Sequence, residues 1–460
     1  MSASKKNNNK ASDGFIKNLQ AWIARLFYIL LFTLLLPLLF VRLLWRSIKA
    51  PAYRQRVLER CGIFSGKSAF NAAFKPSGIC LHAVSVGEVA AALPLIKQLR
   101  QRYPDLSITV TTTTPTGSDY LTKSLKAEGI DNIFHCYMPY DWPPFIVLFL
   151  QRVKPKILII IETELWPVSL WLCSLNNIPV VLANARLSEK SAKGYQKLAW
   201  LSRAMLRDLS VATQYDDDAA RFLALGLPES QLQRTGSVKF DIQISPELKL
   251  EAEKIKQRYK AMSKSFIWIA ASTHKGEDEI VLAAHQKILQ QFPDTLLILV
   301  PRHPERFNDV AQLITDADMQ LARLSSEPLA DKTAIAAGTS VLLVDSMGQL
   351  LKFYGVADTA FVGGSLFAIG GHNTIEPAAW GVPVLSGPHQ FNFAEVGKRL
   401  EQAGVLVIVR DVKGLAAAVV ERINKPELCA EQGKAAQRVI DDNRGAQDKL
   451  LNVINRHLSP

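Results

Sequence analysis

Short apolar runs alternate with longer amphipathic stretches along most of this chain. In its first half the runs at 78–84 (GICLHAV), 107–114 (SITVTTTT), 156–162 (KILIIIE) and 179–185 (PVVLANA) predict strands of a parallel sheet. Stretches such as 88–103 (EVAAALPLIKQLRQRY) and 191–209 (SAKGYQKLAWLSRAMLRDL) carry apolar residues at helical spacing and predict helices laid over those strands. After a charged stretch the alternation resumes, with strands predicted at 266–272, 295–301, 341–346, 359–365, 382–387 and 405–409 and a helix at 277–292. The expected fold class is therefore α/β, two Rossmann-like doubly wound domains facing across a cleft. Ligands of such sheets sit at the carboxyl ends of the strands, so the βα loops of both halves are the place to look for chemistry.

One region breaks the alternation. From Leu26 to Val41 sixteen residues pass without a charge, flanked by Trp22, Arg25, Arg42, Trp45 and Arg46. Aromatic rings and snorkelling arginines can extend so short an apolar span to the width of a bilayer. A cleaved leader would end at a small-residue site, whereas here Pro37 and a further basic stretch follow, so the segment reads as a retained anchor rather than a buried or interfacial helix. The chain then divides into a polar flexible tail (1–21), an anchor helix (22–46), a first Rossmann-like domain (47–242), a linker (243–262), a second (263–440) and a C-terminal helix packing back on the first (441–460). Six basic residues from Arg42 to Arg60, against five before the span, put the globular part on the cytoplasmic side.

Composition narrows the ligand. With 54 Lys and Arg against 42 Asp and Glu, the formal charge is +12, which calls for an anionic partner: a nucleic acid, an acidic membrane face or a phosphorylated substrate. Five scattered cysteines, with no C-x-x-C pair, give neither a disulfide framework nor a zinc knuckle. The eight histidines show no metal-ligand spacing, so no metal is expected. SGKS at 65–68 resembles the tail of a phosphate-binding loop but lacks the leading glycine and strand.

The strand ends carry the remaining signal. HAVSVGE places Ser85, Gly87 and Glu88 where a strand gives way to a helix. Glu88 there is either a complement to the helix dipole or a general base, and a base in that position needs burial or nearby acids to offset the dipole. IIIETELW supplies Glu162 and Glu164. In the second half VPRHPERF sets Arg302 and His303 after a strand, where a guanidinium can grip phosphate bidentately. AASTHKGED puts Ser272, Thr273 and Lys275 at another strand end. VDSMGQLL offers free N–H groups at 346–349. In GGHNTIEPAAWGVPVLSGPH, preceded by Gly363 and Gly364, Gly370 and Gly371 give clearance, Asn373 and Thr374 begin a helix and Glu376 follows. Backbone amides would take a phosphate while the acid accepts from ribose hydroxyls, which makes this a nucleotide cradle.

Taken in order behind an N-terminal anchor, HAVSVGE, IETELWP, GSVKFD, PRHPERF, DSMGQL and GGHNTIEPAAWGVPVLSGP resemble the 3-deoxy-D-manno-oct-2-ulosonic acid (Kdo) transferases of lipopolysaccharide assembly, over residues 50–430. The resemblance implies an inverting, metal-independent GT-B glycosyltransferase with CMP-Kdo as donor and a lipid A precursor, lipid IVA, as acceptor. It makes the first domain the acceptor side and the second the donor side, at the cytoplasmic face of the inner membrane. It matches Glu88 to the catalytic base, and Glu162 and Lys239 to transition-state support. Pro301, Arg302 with its neighbour His303, Met347, Gly348, Gln349, Asn373, Thr374, Ile375 and Glu376 match the CMP-contacting segments. The basic excess is then accounted for by a phosphorylated lipid, with Arg186, Lys190, Lys193 and Lys197 as candidate contacts and no nucleic acid partner. A GT-B enzyme acting on a UDP-sugar, as transferase or nonhydrolysing epimerase, and a noncatalytic nucleotide-binding membrane scaffold are the competing readings.

Overall fold

The computed structural model describes residues 2–64, 74–326 and 335–458, and within the first helix the side chains from Trp22 onward save Ala24 and Lys49. SGKS at 65–68 falls outside these, while the backbone of 2–21, expected as a flexible tail, continues the first helix. Two compact units are present, Met1–Val238 with Gly445–Pro460, and Lys239–Arg444.

The first unit is built on seven parallel strands, β1 Ile79–His82, β2 Ile108–Thr112, β3 Ile133–Tyr137, β4 Ile157–Ile161, β5 Val180–Ala185, β6 Leu209–Thr213 and β7 Leu232–Arg234, in the order β3-β2-β1-β4-β5-β6-β7. The second unit carries β8 Phe266–Thr273, β9 Thr295–Pro301, β10 Leu321–Arg323, β11 Val341–Leu343, β12 Thr359–Val362, β13 Val384–Ser386 and β14 Leu406–Ile408, in the order β10-β11-β9-β8-β12-β13-β14. In the second sheet β10 lies outside β11 at one edge; the first order reverses between β1 and β4, and the second also between β8 and β12. These are the two topological switch points, where crossover helices diverge to opposite faces and leave a crevice at the strand ends.

Both sheets are covered on both faces, which is why their central strands read as apolar runs. Ile79, Leu81, Ile157, Ile159 and Val181 form one core layer, and Cys80, Leu158, Ile160 and Leu182 the opposite one. The sequence reading lacked β3, β6, β7 and β10. The edge strands β7 and β10 have three residues each, β3 is diluted by His135, and β6 follows directly on helical spacing, so none offers an uninterrupted apolar run. The stretch 191–209 is likewise not one helix. It splits into Glu189–Lys197 and Ala199–Leu206 at Leu198, and Leu209 begins β6.

The unit boundary also differs from the expectation. Residues 243–262 are not a free linker: helix Pro246–Ala261 buries Ala252, Ile255 and Tyr259 in the second unit. The C-terminal helix Ala446–Leu458 returns to the first unit, where Leu450, Val453 and Ile454 join the layer of Ile79 and Leu81. Tyr103 donates to Asn455 Oδ1 at 2.7 Å beside it. The first helix, α1 (Ser2–Lys49), contains Arg25–Ile48, long and apolar enough by length and composition to cross a membrane. All five cysteines are free.

Burying the C-terminal helix in the first unit has a measurable consequence. Ile454→Ala should lower unfolding free energy by about 2–5 kcal/mol in chemical denaturation, the usual cost of an Ile-to-Ala cavity.

Candidate active site

In the first unit the switch point is lined with carboxylates. β1 ends at His82, Ser85 stands at the N-cap in extended conformation, and α2 (Val86–Arg102) follows, placing Glu88 at its third helical position. Glu88 turns back on the loop: Val84 N–H donates to its Oε2 at 2.8 Å and Ser85 Oγ to its Oε1 at 3.0 Å. The carboxylate thus reaches back to the amide of the residue before the N-cap and to the N-cap hydroxyl, and both bonds lock it against the turn. On the neighbouring strand β4, Glu162 follows Ile161 with a left-handed φ of 63° and its N–H bonded to Ala183 O. A non-glycine residue held there stores strain of order 1 kcal/mol or more, which elsewhere marks sites where geometry is imposed for function.

Burial, joined by the charges of Glu162 and Glu164 and only partly opposed by the bonds from Val84 and Ser85, raises the Glu88 carboxyl to about 7. Glu164 is raised as well, chiefly by burial and with a smaller push from Glu162, opposed by the Trp166 side chain. The result is a carboxyl poised to accept a proton near neutral pH.

The second unit assembles a cationic and histidine-rich group at its own switch point. After β8, helix Glu277–Leu289 opens with Glu277, whose buried carboxylate accepts from His274 N at 3.0 Å, Gly364 N at 2.7 Å, Ser365 N at 2.9 Å and Leu366 N at 3.0 Å. The loop leaving β12 is thereby pinned to the loop leaving β8. Across it, His274 and His372 stack in parallel with Nε2 atoms 2.8 Å apart, and His303 meets His274 edge-on. His372 is held down to about 4, by burial and then by the charge of Arg302; His274 is lowered mainly by burial. Asn373 Nδ2 donates to Glu376 Oε1 at 3.1 Å, and its Oδ1 accepts from Ile375 N at 3.0 Å. Burial raises Glu376, against the Asn373 bond and the charge of Arg302.

The structure thus brings Glu88, Glu162 and Glu164 together in one unit, and Arg302, His303, Asn373 and Glu376 in the other. Pro301 closes β9 opposite Thr273, and Arg302 projects into solvent just beyond it. Lys239 was expected within the first domain; it opens the second unit, with its ammonium 5.3 Å from the Phe393 ring centre. Met347 and Gly348 form an exposed turn, and the helix begins only at Leu350, after Gln349.

Two features of the cradle need correction. Helix Ile375–Ala379 has five residues, and the Ile375 amide is already occupied by Asn373, so Thr374 and Ile375 bring little free dipole. The glycine clearance is partly internal too. A Cβ on Gly364, at φ +68°, would lie 2.8 Å from the His372 ring, and one on Gly363 would lie 2.9 Å from Glu277 Oε2.

Sequence reasoning missed Glu277, His274, His372 and Asn184. The last is buried at the end of β5, also left-handed at φ 51°, and accepts from Val238 N. An Asn inside a strand-like apolar run was the available signal, because Asn tolerates that conformation. Among the described residues no group of three or more His, Cys, Asp or Glu is placed to share a metal ion.

Comparison with known proteins adds the family. The profile described as 3-deoxy-D-manno-octulosonic-acid transferase (kdotransferase) matches residues 55–242. The chain is 43% identical over 436 residues to a 3-deoxy-D-manno-octulosonic acid transferase of Haemophilus influenzae, covering 94% of this chain and 99% of that one. Among solved structures it is similar to a glycosyltransferase from Rickettsia africae (TM-score 0.54, 15% identity, 84% of this chain and 100% of that one). It is similar also to a UDP-GlcNAc 2-epimerase from Neisseria meningitidis bound to UDP-GlcNAc (TM-score 0.53, 16% identity, 82% and 100%). These two likenesses show the fold alone, the two-domain GT-B class, and a fold that hosts both a transferase and an epimerase does not choose between them.

The Glu277 clamp yields a test. Glu277→Ala leaves buried amides unpaired and should cost about 2–4 kcal/mol in chemical denaturation, with faster hydrogen exchange at Gly364, Ser365 and Leu366.

Proposed function

The chain belongs to the 3-deoxy-D-manno-octulosonic acid (Kdo) transferase family and is a glycosyltransferase, and from that premise we propose that it transfers Kdo from CMP-Kdo to the 6-hydroxyl of lipid IVA at the cytoplasmic face of the inner membrane. The observation that carries this reading is Glu88. A carboxyl raised to about 7 beside two other acids is an effective acceptor for the proton of an attacking hydroxyl.

In this reading Glu88 removes the proton as the acceptor oxygen bonds to the anomeric C2 of Kdo from the face opposite the leaving group. The C2–O bond to CMP breaks, its electron pair goes to the phosphate, and the configuration inverts. Glu162 supports the positive charge that grows on the sugar ring, since a carboxylate at that position opposes an oxocarbenium-like charge at short range. Arg302 and Lys239 meet the departing phosphate and the Kdo carboxylate, and no metal cofactor is assigned.

Asn373 already orients Glu376 by a side-chain bond, which leaves the second carboxylate oxygen for a ribose hydroxyl. Pro301, His303, Met347, Gly348, Gln349, Thr374 and Ile375 frame the nucleotide around it. The exposed basic residues Lys190, Lys193 and Lys197 suit a bisphosphorylated lipid. α1 supplies the membrane attachment.

Incubation with CMP-Kdo or with UDP-sugars, followed by mass spectrometry of lipid IVA, separates this reading from a UDP-sugar enzyme. Only CMP-Kdo should add Kdo mass. Glu88→Gln should lower turnover by roughly 10²- to 10⁴-fold with CMP affinity unchanged. Glu376→Ala should weaken CMP binding about 10-fold or more in calorimetry. Full turnover in the first variant, or unaltered affinity in the second, contradicts the assigned role.

A further inference from the structure

From Leu26 to Val41 α1 carries no charge on any side, yet the first unit packs along one side of the segment from Trp22 to Ile48. The inward positions Arg25, Tyr28, Phe32, Leu36, Phe40, Leu43 and Ser47 fall three or four residues apart and are at least half covered or buried, while Leu26, Leu30, Leu34, Leu38, Val41 and Trp45 remain exposed on the outer side. Contacts from the stripe and its flanks to the first unit run from end to end of this segment. Arg25 lies over the Trp171 ring, and Phe27 meets Trp200 edge-on. The Tyr28 hydroxyl bonds the buried Asp141, and Trp142 Nε1 donates to Thr33 Oγ1 at 3.0 Å. Phe40 meets Tyr140 edge-on, and Arg54 donates to Ser47 Oγ at 3.0 Å.

These contacts set a geometric conflict with crossing. From Trp22 to Ile48 the helix is about 40 Å long at 1.5 Å per residue, and a bilayer's hydrocarbon is about 30 Å thick. A helix standing upright would draw the packed unit into hydrocarbon with it, because the unit touches it at both ends. Exposed Arg207 and Asp208 flank the Arg25 end, and Arg54 the Ser47 end. Submerging either set is costly, and releasing the helix would strip Asp141 of its Tyr28 bond.

The outer face suits a membrane surface instead. Leu198 and Trp200 are exposed beside α1, with Lys197 adjacent and Lys190 on the preceding helix, and Arg42 and Arg46 sit exposed at its far end. An apolar strip with a basic border complements the acyl layer and anionic headgroups of one leaflet. We propose that α1 does not cross the membrane but lies in the plane of an anionic leaflet, apolar face down, with the first unit resting on its other side. This deepens the membrane part of the proposed function.

A cysteine placed at Ser4 in the full-length chain tests it. Membrane-impermeant maleimide, with the labelled peptide mapped by mass, should modify Ser4→Cys in inverted inner-membrane vesicles and leave it unmodified in intact spheroplasts. Modification in spheroplasts puts the N-terminus across the membrane and overturns the proposal. A second arm uses purified protein and vesicles. Lys190→Glu with Lys197→Glu should weaken binding to 3:7 phosphatidylglycerol:phosphatidylethanolamine vesicles by about 10-fold or more, and leave binding to phosphatidylcholine vesicles within about twofold. Equal binding of variant and parent to the anionic vesicles contradicts the basic border. Kdo transfer measured on the same membranes reports separately on the catalytic reading: activity with labelling in spheroplasts sinks the orientation alone, and no Kdo transfer with labelling only in inverted vesicles sinks the catalytic reading alone.

Discussion

Carboxylates cannot be gathered at one half-buried strand end without raising the proton affinity of some of them, here Glu88 and Glu164, and that constraint organises the first unit. The parallel order reverses between β1 and β4, so the residues that end these two strands must share a crevice. Glu88, in the first helical turn after β1, and Glu162, directly after β4, lie at that crevice. Their proximity follows from topology, and the raised Glu88 carboxyl follows from their proximity and burial. A helix N-terminus alone would have pulled it the other way.

The second unit repeats the arrangement with an instructive difference. Glu277 occupies the corresponding place, in the first βα turn beside the switch between β8 and β12. It accepts four backbone amides and holds two loops together, whereas Glu88 accepts one amide and one hydroxyl. The same residue type at the same fold position is structural in one half because its hydrogen bonds are satisfied. In the other half it keeps capacity for an incoming proton. The left-handed residues Glu162, Asn184 and Ser272 all lie at strand ends, where the backbone bends out of the ladder toward these crevices.

Much of this was legible in the sequence, for reasons the packing explains. Central strands buried on both faces must be apolar at nearly every position, so their runs could be read, while the three-residue edge strands β7 and β10 could not. IETELWP was legible because two acids directly after an apolar run are hard to reconcile with folding alone, whereas HAVSVGE left Glu88 open between a dipole complement and a base. Glu277 was hidden among three acids that open a helix, the ordinary complement to a dipole. The glycines misled in part, since a sequence cannot tell whether the space beside Gly364 is kept for a ligand or for His372. The stripe on α1 was illegible for a related reason: a helix apolar on all sides gives no periodicity, and only its contacts reveal which side faces protein.

The account rests on Glu88 working as a base whose ionisation is set by burial and by its acidic neighbours. Burial and like charge both raise its pKa, so the active carboxylate is present above about pH 7 and is lost as pH falls through that value. The decisive measurement is the pH dependence of kcat/KM for Kdo transfer in the parent chain and in Glu162→Gln. The account requires a rise to a plateau with a break near pH 7, and a break at lower pH once the Glu162 charge is removed. A profile that is flat from pH 5.5 to 8.5 in the parent contradicts it.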